Sequence, residues 1–164
     1  MRRAIILAAM VLSTAFACPA SAGGAVTGPT APSPQNGDHF PGTADHVRIV
    51  SVTRDTGDQD KVTVTLVIDP GYHINANPAS DKDLIPTTLT FDGYELRRVI
   101  YPKPYSFKPK FSDEALDVYQ GTELIIVLFP TDSLKPDTHL HGTLLAQACT
   151  EEICLPPAEI AFSE

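Results

Sequence analysis

The residue types and spacing best suited to chemistry are those of Cys149 and Cys154, in the run Gln147-Ala148-Cys149-Thr150-Glu151-Glu152-Ile153-Cys154-Leu155-Pro156-Pro157. Four intervening residues suffice to turn the chain and bring two sulfurs into bonding reach, provided the Cα atoms come closer than about 7 Å. Such a pair can staple the fold, as most disulfides of exported proteins do, or it can exchange with other thiols. A ring this short restricts the unfolded chain little, by about 2 kcal/mol on the loop-entropy relation. The spacing is not the C-x-x-C of thioredoxin-like proteins, so spacing alone leaves both roles open. Glu151 and Glu152 lie between the sulfurs, no Lys or Arg is near them in sequence, and carboxylates disfavour a neighbouring thiolate. A reduced pair is expected to exchange slowly until a partner contact or loss of shielding activates it.

Other constellations carry less. His139-x-His141 places two imidazoles on one face of a strand, and His73, Cys149 and Cys154 could join them as a copper-type site. Both methionines, Met1 and Met10, fall in the first 22 residues, so no thioether ligand remains downstream. The reading adopted is therefore no metal site. Ser and His occur without a Gly-x-Ser-x-Gly context, which argues against a hydrolase. Tyr72 and Tyr119 read first as half-buried packing residues, Asn75 and Asn77 as turn formers beside Pro78, and Asp113 and Glu114 as a solvated loop.

The chain that must position these residues has 164 of them, 43% hydrophobic and 20% charged, with 15 prolines and no tryptophan, which fits one domain and no helical bundle. Twelve Lys and Arg against twenty Asp and Glu give a net charge of −8, which excludes nucleic-acid binding through a basic face and disfavours an anionic lipid surface. Met1-Arg2-Arg3, the apolar run Ala4 to Ala17 and Ala20-Ser21-Ala22 form a signal-peptide pattern over residues 1–22. That run is too short to span a bilayer comfortably and no other stretch approaches the length required, so an exported, soluble protein without stable membrane insertion is expected. Ala15-Phe16-Ala17 lacks the leucine expected before a lipidated cysteine, which argues against anchoring at Cys18. Cleavage leaves Cys149 and Cys154 as the only cysteines, an even number in an oxidising compartment.

Residues 23–45 are rich in Gly and Pro and read as a flexible leader, with the folded domain over 46–164. There the dominant period is two. Val47, Ile49 and Ser51 share one face of a first strand, and Val62, Val64, Leu66 and Ile68 share one face of Lys61–Asp69. The Asp55-Thr56-Gly57-Asp58 turn between them makes a hairpin. Further strands are expected at Thr87–Phe91, Glu95–Tyr101, Glu123–Phe129, His139–Ala148 and Glu159–Phe162, with single helical turns at Asp81–Leu84 and Ser112–Ala115. Short β-branched strands at this spacing indicate an all-β sandwich. Pro102, Pro104 and Pro109 remove ladder donors, so Pro102–Phe111 is expected to be a long loop across one end.

Three segments together resemble a known family, the N-terminal periplasmic domain of the thiol:disulfide interchange protein DsbD. Gln147 and Cys149 to Pro157 are similar to its redox motif. Gly71-Tyr72-His73-Ile74-Asn75-Ala76-Asn77-Pro78 with Leu84-Ile85-Pro86-Thr87 resembles a second block, and Phe111-Ser112-Asp113-Glu114 with Val118-Tyr119-Gln120-Gly121 a third. The resemblance spans His46 to Phe162. It implies an immunoglobulin-like β-sandwich with a long cap loop, needing no cofactor. It implies a relay in which the reduced pair passes electrons to oxidised periplasmic proteins, and a thioredoxin-like or membrane electron donor reduces it again.

By the same resemblance Cys154 would form the mixed disulfide with partners and Cys149 would resolve it. Position in the sequence agrees: Cys154 precedes two donor-free prolines in an extended, accessible segment, whereas Cys149 follows the apolar Leu144-Leu145-Ala146. The shielding cap aromatic would be Phe111, with Phe107 as its competitor. The family's Tyr and acidic neighbours of the pair fall where this sequence has His73 and Asn75, beside Tyr72, with Tyr119 in the third block. The spacing of the cysteines is one residue shorter than in the best-known member. Because the chain ends at Glu164 without the membrane-spanning and thioredoxin-like portions, its electrons are expected from a separate partner.

Overall fold

The structure is a computed structural model that describes residues 40–57, 60–110, 113–135 and 137–164. The expected signal peptide, Cys18, most of the expected leader, Phe111 and Ser112 lie outside the described residues. Among those described, a four-residue helix, α1 (Thr43–His46), precedes eleven strands: β1 (Val47–Thr56), β2 (Asp60–Ile68), β3 (His73–Asn75), β4 (Thr88–Phe91), β5 (Arg98–Ile100), β6 (Tyr105–Phe107), β7 (Leu116–Tyr119), β8 (Thr122–Leu128), β9 (His141–Ala146), β10 (Ala148–Cys149) and β11 (Ala158–Ser163).

The period-two pattern does what it requires of a half-buried strand. Along β2 every second residue, Val62, Val64, Leu66 and Ile68, is buried. The expected hairpin forms, with β1 antiparallel to β2 from Val47 opposite Ile68 to Thr56 opposite Asp60. A bulge between Ile49 and Ser51 shifts the register and leaves Val50 exposed, as an unpaired extra residue on an edge strand would be. One antiparallel sheet runs β1-β2-β8-β5; two others run β10-β3-β7-β6 and β11-β9-β4. The first contributes Val64, Leu66, Ile125 and Val127 to a single core. The other two contribute Ile74, Tyr119, Leu89, Phe91, Leu144 and Ala148. Phe91 anchors the layers together, its ring edge-on to Phe129 and Phe162 at 5.2 and 5.4 Å. The protein is an all-β sandwich.

Three expectations are corrected. His139–Ala148 is not one strand: β9 ends at Ala146, and after Gln147 the chain joins a different sheet as β10. Pro102–Phe111 is not wholly loop, because Tyr105–Phe107 forms β6. Its three residues carry no proline and occupy a sheet edge, where prolines on either side cost no central ladder bond. The packed chain also begins before His46, since Thr43 is fully buried. The single turn at Asp81–Leu84 is present, closed by the Leu84 N–H donating to the Asp81 carbonyl at 3.2 Å.

Candidate redox site

The cysteine pair sits at a sheet edge that the fold closes from several directions. Strand β10 is the outermost of its sheet and pairs with β3, Ala148 opposite Ile74 and Cys149 opposite His73. Beyond Cys149 the chain turns through Thr150. Its hydroxyl accepts the N–H groups of Glu152 and Ile153, each at 3.2 Å, and its own N–H donates to the Ile153 carbonyl at 2.8 Å. This side-chain turn returns Cys154 to Cys149, where the two form a one-residue bridge and a disulfide with Cα atoms 4.0 Å apart. The Leu155 N–H then donates to the Ala148 carbonyl at 2.8 Å.

The two sulfurs differ in environment. Cys149 is 1% exposed, whereas Cys154 is exposed and lies between exposed Ile153 and the half-buried Leu155. Thr43 secures the far side of the loop: its hydroxyl accepts the Ala148 N–H at 2.9 Å and donates to the Pro156 carbonyl at 2.7 Å. The prolines that follow Cys154 therefore enter an anchored segment. Gln147 adds a bond from its side-chain amide to the Leu155 carbonyl at 3.1 Å.

A second segment lies over the cysteine loop. From β6, Phe107 places its ring 4.4 Å from the His73 imidazole, tilted by 48°. Further on, the Lys110 N–H donates to the Glu151 carbonyl at 2.9 Å, and its ammonium reaches Glu151 and Glu152, both at 3.2 Å. Glu152 first and Glu151 second hold the Lys110 proton to higher pH than usual. The carboxylates between the sulfurs are thus partly neutralised by a cation from the segment that follows β6, which sequence proximity did not reveal. Lys110 and Thr43 are the functional-site residues missed from sequence; both contacts are long-range and neither residue lies in a recognisable motif.

His73 is 2% exposed, and burial lowers its pKa below that of an ordinary imidazole. Its neighbours Ile74 and Ala76 enter the main core, whereas His73 and Asn75 are buried outside that cluster, on the other face of β3. The Asn75 amide donates to the Ile85 carbonyl at 3.0 Å, and its backbone carbonyl accepts the Thr87 hydroxyl at 2.6 Å. Tyr119 is buried in the core and its hydroxyl accepts the Asn77 N–H at 3.0 Å; burial raises its pKa. Tyr72 stacks on His46 at 3.8 Å. Of the neighbours named from sequence, the structure brings His73 to the pair by register and attaches Asn75, Tyr72 and Tyr119 to other partners. His139 lies outside any strand and His141 opens β9, exposed and opposite Ser163. Among the described residues no three His, Cys, Asp or Glu side chains group as metal ligands.

One family model matches this chain. The model for "Thiol:disulfide interchange protein DsbD, N-terminal" covers residues 43–163, and its start coincides with the buried Thr43. The chain belongs to the DsbD N-terminal domain family, which takes part in thiol–disulfide exchange, and its sandwich is of the immunoglobulin-like kind. No curated protein matches the chain. Among solved structures it is similar to the reduced DsbD N-terminal domain of Neisseria meningitidis, at 18% identity and a TM-score of 0.51, covering 77% of this chain and 90% of that one. It is similar to the N-terminal periplasmic domain of ScsB from Proteus mirabilis, at 17% identity and a TM-score of 0.54, covering 73% of this chain and 46% of that one. A complex between the DsbD and PilB N-terminal domains of Neisseria meningitidis matches at 16% identity and a TM-score of 0.50, over 77% and 88% of the two chains. Among the described residues no helix is long and apolar enough to cross a membrane.

Proposed function

We propose that the chain is a periplasmic protein-disulfide reductase, exported by the signal pattern in residues 1–22, that relays electrons through Cys149 and Cys154. The observation that carries this reading is the asymmetry of the pair: Cys154 is exposed at the loop's end, whereas Cys149, on the edge strand β10, is 1% exposed. Attack on a foreign disulfide requires an accessible thiolate, while resolution is intramolecular and tolerates burial. The Cys154 thiolate attacks one sulfur of an oxidised protein and expels the other as a thiolate. Cys149, deprotonated, then attacks the Cys154 sulfur, which closes the intramolecular disulfide and releases the partner's remaining sulfur. Two electrons pass to the partner and the pair's two protons reach its two thiolates. A thioredoxin-like or membrane-bound dithiol reverses the sequence and restores the reduced pair.

Ring size also favours exchange over a staple, since a ring this short restricts the unfolded chain by only about 2 kcal/mol. The test is equilibration in glutathione buffers with counting of free thiols. A relay pair shifts between its oxidised and reduced forms as the buffer is made more reducing, without unfolding. A pair that stays oxidised through the whole range, until the protein unfolds, would return it to a staple in an immunoglobulin-like binding module.

A further inference from the structure

His73 is the buried base beside the pair, and the relay just described leaves it without a task. It is the register partner of Cys149 across the β3–β10 ladder, so the two side chains rise from the same face with Cβ atoms about 5 Å apart. Phe107 covers the imidazole from the other side. The Nε2 atom is buried and has no hydrogen-bond partner among the described residues, a condition that native structures seldom leave without a reason. His46 also has an unpartnered Nε2, but its Nδ1 lies 3.4 Å from Asp69 and its ring stacks on Tyr72; it has no register relation to either cysteine.

We propose that His73 is the internal base of the resolving step, taking the Cys149 thiol proton on Nε2. The proposal rests on the exchange reading of the pair. At 1% exposure Cys149 is not within reach of solvent hydroxide or buffer, so its proton needs an acceptor inside the fold. In the mixed disulfide between Cys154 and a partner, neutral His73 removes that proton. The Cys149 thiolate attacks the Cys154 sulfur, the Cys149–Cys154 bond forms, and the bond from Cys154 to the partner breaks. The partner sulfur departs with the electron pair, and the imidazolium gives up its proton to that thiolate. In the reducing direction neutral His73 takes the proton of the incoming thiol as that sulfur bonds to Cys154, and returns it to Cys149 as it leaves.

The surroundings keep the imidazole in its neutral, working form. Burial lowers its pKa. The ionisable groups on neighbouring elements are engaged or turned to solvent. On β7 Asp117 is exposed and the Tyr119 hydroxyl is bonded to Asn77. Tyr105 on β6 is exposed. Lys110 is paired with Glu151 and Glu152. On β10 the group opposite is Cys149 itself.

The test mixes the reduced full chain carrying Cys18→Ser, which leaves Cys149 and Cys154 as its only cysteines, with 5,5′-dithiobis(2-nitrobenzoic acid) and follows thionitrobenzoate release by stopped flow. The first phase reports attack by Cys154 and the second reports resolution by Cys149. His73→Phe, which keeps an aromatic ring against Phe107, is expected to leave the first phase unchanged and slow the second about 10²-fold at pH 7, within the range of general-base catalysis. The wild-type second phase should climb with pH through the imidazole range and level off. The variant's should climb only through the thiol range, at about 8.5 and above. His73→Gln, a polar replacement without a base, should behave the same, and serves if the Phe variant does not fold. Equal second phases in wild type and variants, or a wild-type profile without the low-pH limb, would overturn the base role alone. Release of a single equivalent by the wild-type chain would show that no resolving step exists, and would overturn the relay together with the proposal.

Discussion

Thr43 stands 105 residues before Ala148, yet its buried hydroxyl accepts that residue's N–H at 2.9 Å and donates to the Pro156 carbonyl at 2.7 Å. One side chain thus ties together the two ends of the cysteine loop. Thr43→Val keeps the shape and strands a buried donor and acceptor. The expected loss is about 1–3 kcal/mol, measured as a lower urea midpoint at unchanged slope. A change within about 0.5 kcal/mol, as for an ordinary surface substitution, would show that the clasp contributes nothing.

Lys110 offsets the charge of Glu151 and Glu152 at 3.2 Å from each. Removing it as Lys110→Met should lower the thiolate fraction of reduced Cys154. Alkylation by neutral iodoacetamide at pH 7 is expected to slow about two- to five-fold at low salt, the scale of an exposed ion pair. The difference should shrink in high salt. Equal rates at low salt would remove Lys110 from the site's electrostatics.

Phe107 covers His73 and, through it, the face of the sheet on which Cys149 lies. Phe107→Ala is expected to raise the rate at which dithiothreitol reduces the disulfide by several-fold. It should cost about 1–2 kcal/mol of stability, since the ring is only half-buried. Phe111→Ala is the paired measurement. Acceleration only in the Phe111 variant would assign the shield to that residue and take it from Phe107.

Burial holds the His73 pKa below its value in the unfolded chain. In acid the unfolded state therefore binds a proton that the folded state refuses, and stability must rise with pH across that interval. The contribution is complete above about pH 6.5 and is lost as pH falls toward the folded-state value. Urea midpoints compared at pH 7.5 and 5.5 should fall more in wild type than in His73→Phe. Equal falls would show that His73 titrates alike in both states.

The long alternating strands were legible in sequence because each buries one face. Val62 to Ile68 gives both the strand and its inward side, and Gly57 beside Asp55 marks the hairpin. The three-residue strands β3 and β6 and the four-residue β7 were not. None is long enough for a period to show, and β6 is masked by the prolines around it. Strand β9 was extended too far because Ala146, Gln147 and Ala148 continue the alternation while the chain changes sheets. The cysteine pair was legible from composition alone, as were the extended prolines after Cys154. His73 stood out by its position in the Gly71 block, but its pairing with Cys149, 76 residues away, required the register of two strands. Lys110 and Thr43 act across 42 and 105 residues, where no local pattern exists to betray them.

The central claim is that Cys154 meets the partner and Cys149 resolves. It is tested most directly by producing Cys149→Ala and Cys154→Ala in the periplasm and separating covalent adducts on non-reducing gels. The account predicts that Cys149→Ala accumulates mixed disulfides with other proteins, joined through Cys154 and abolished by reductant, while Cys154→Ala accumulates few because Cys149 is 1% exposed. Adducts confined to Cys154→Ala would exchange the two roles. Their absence from both variants would contradict the relay.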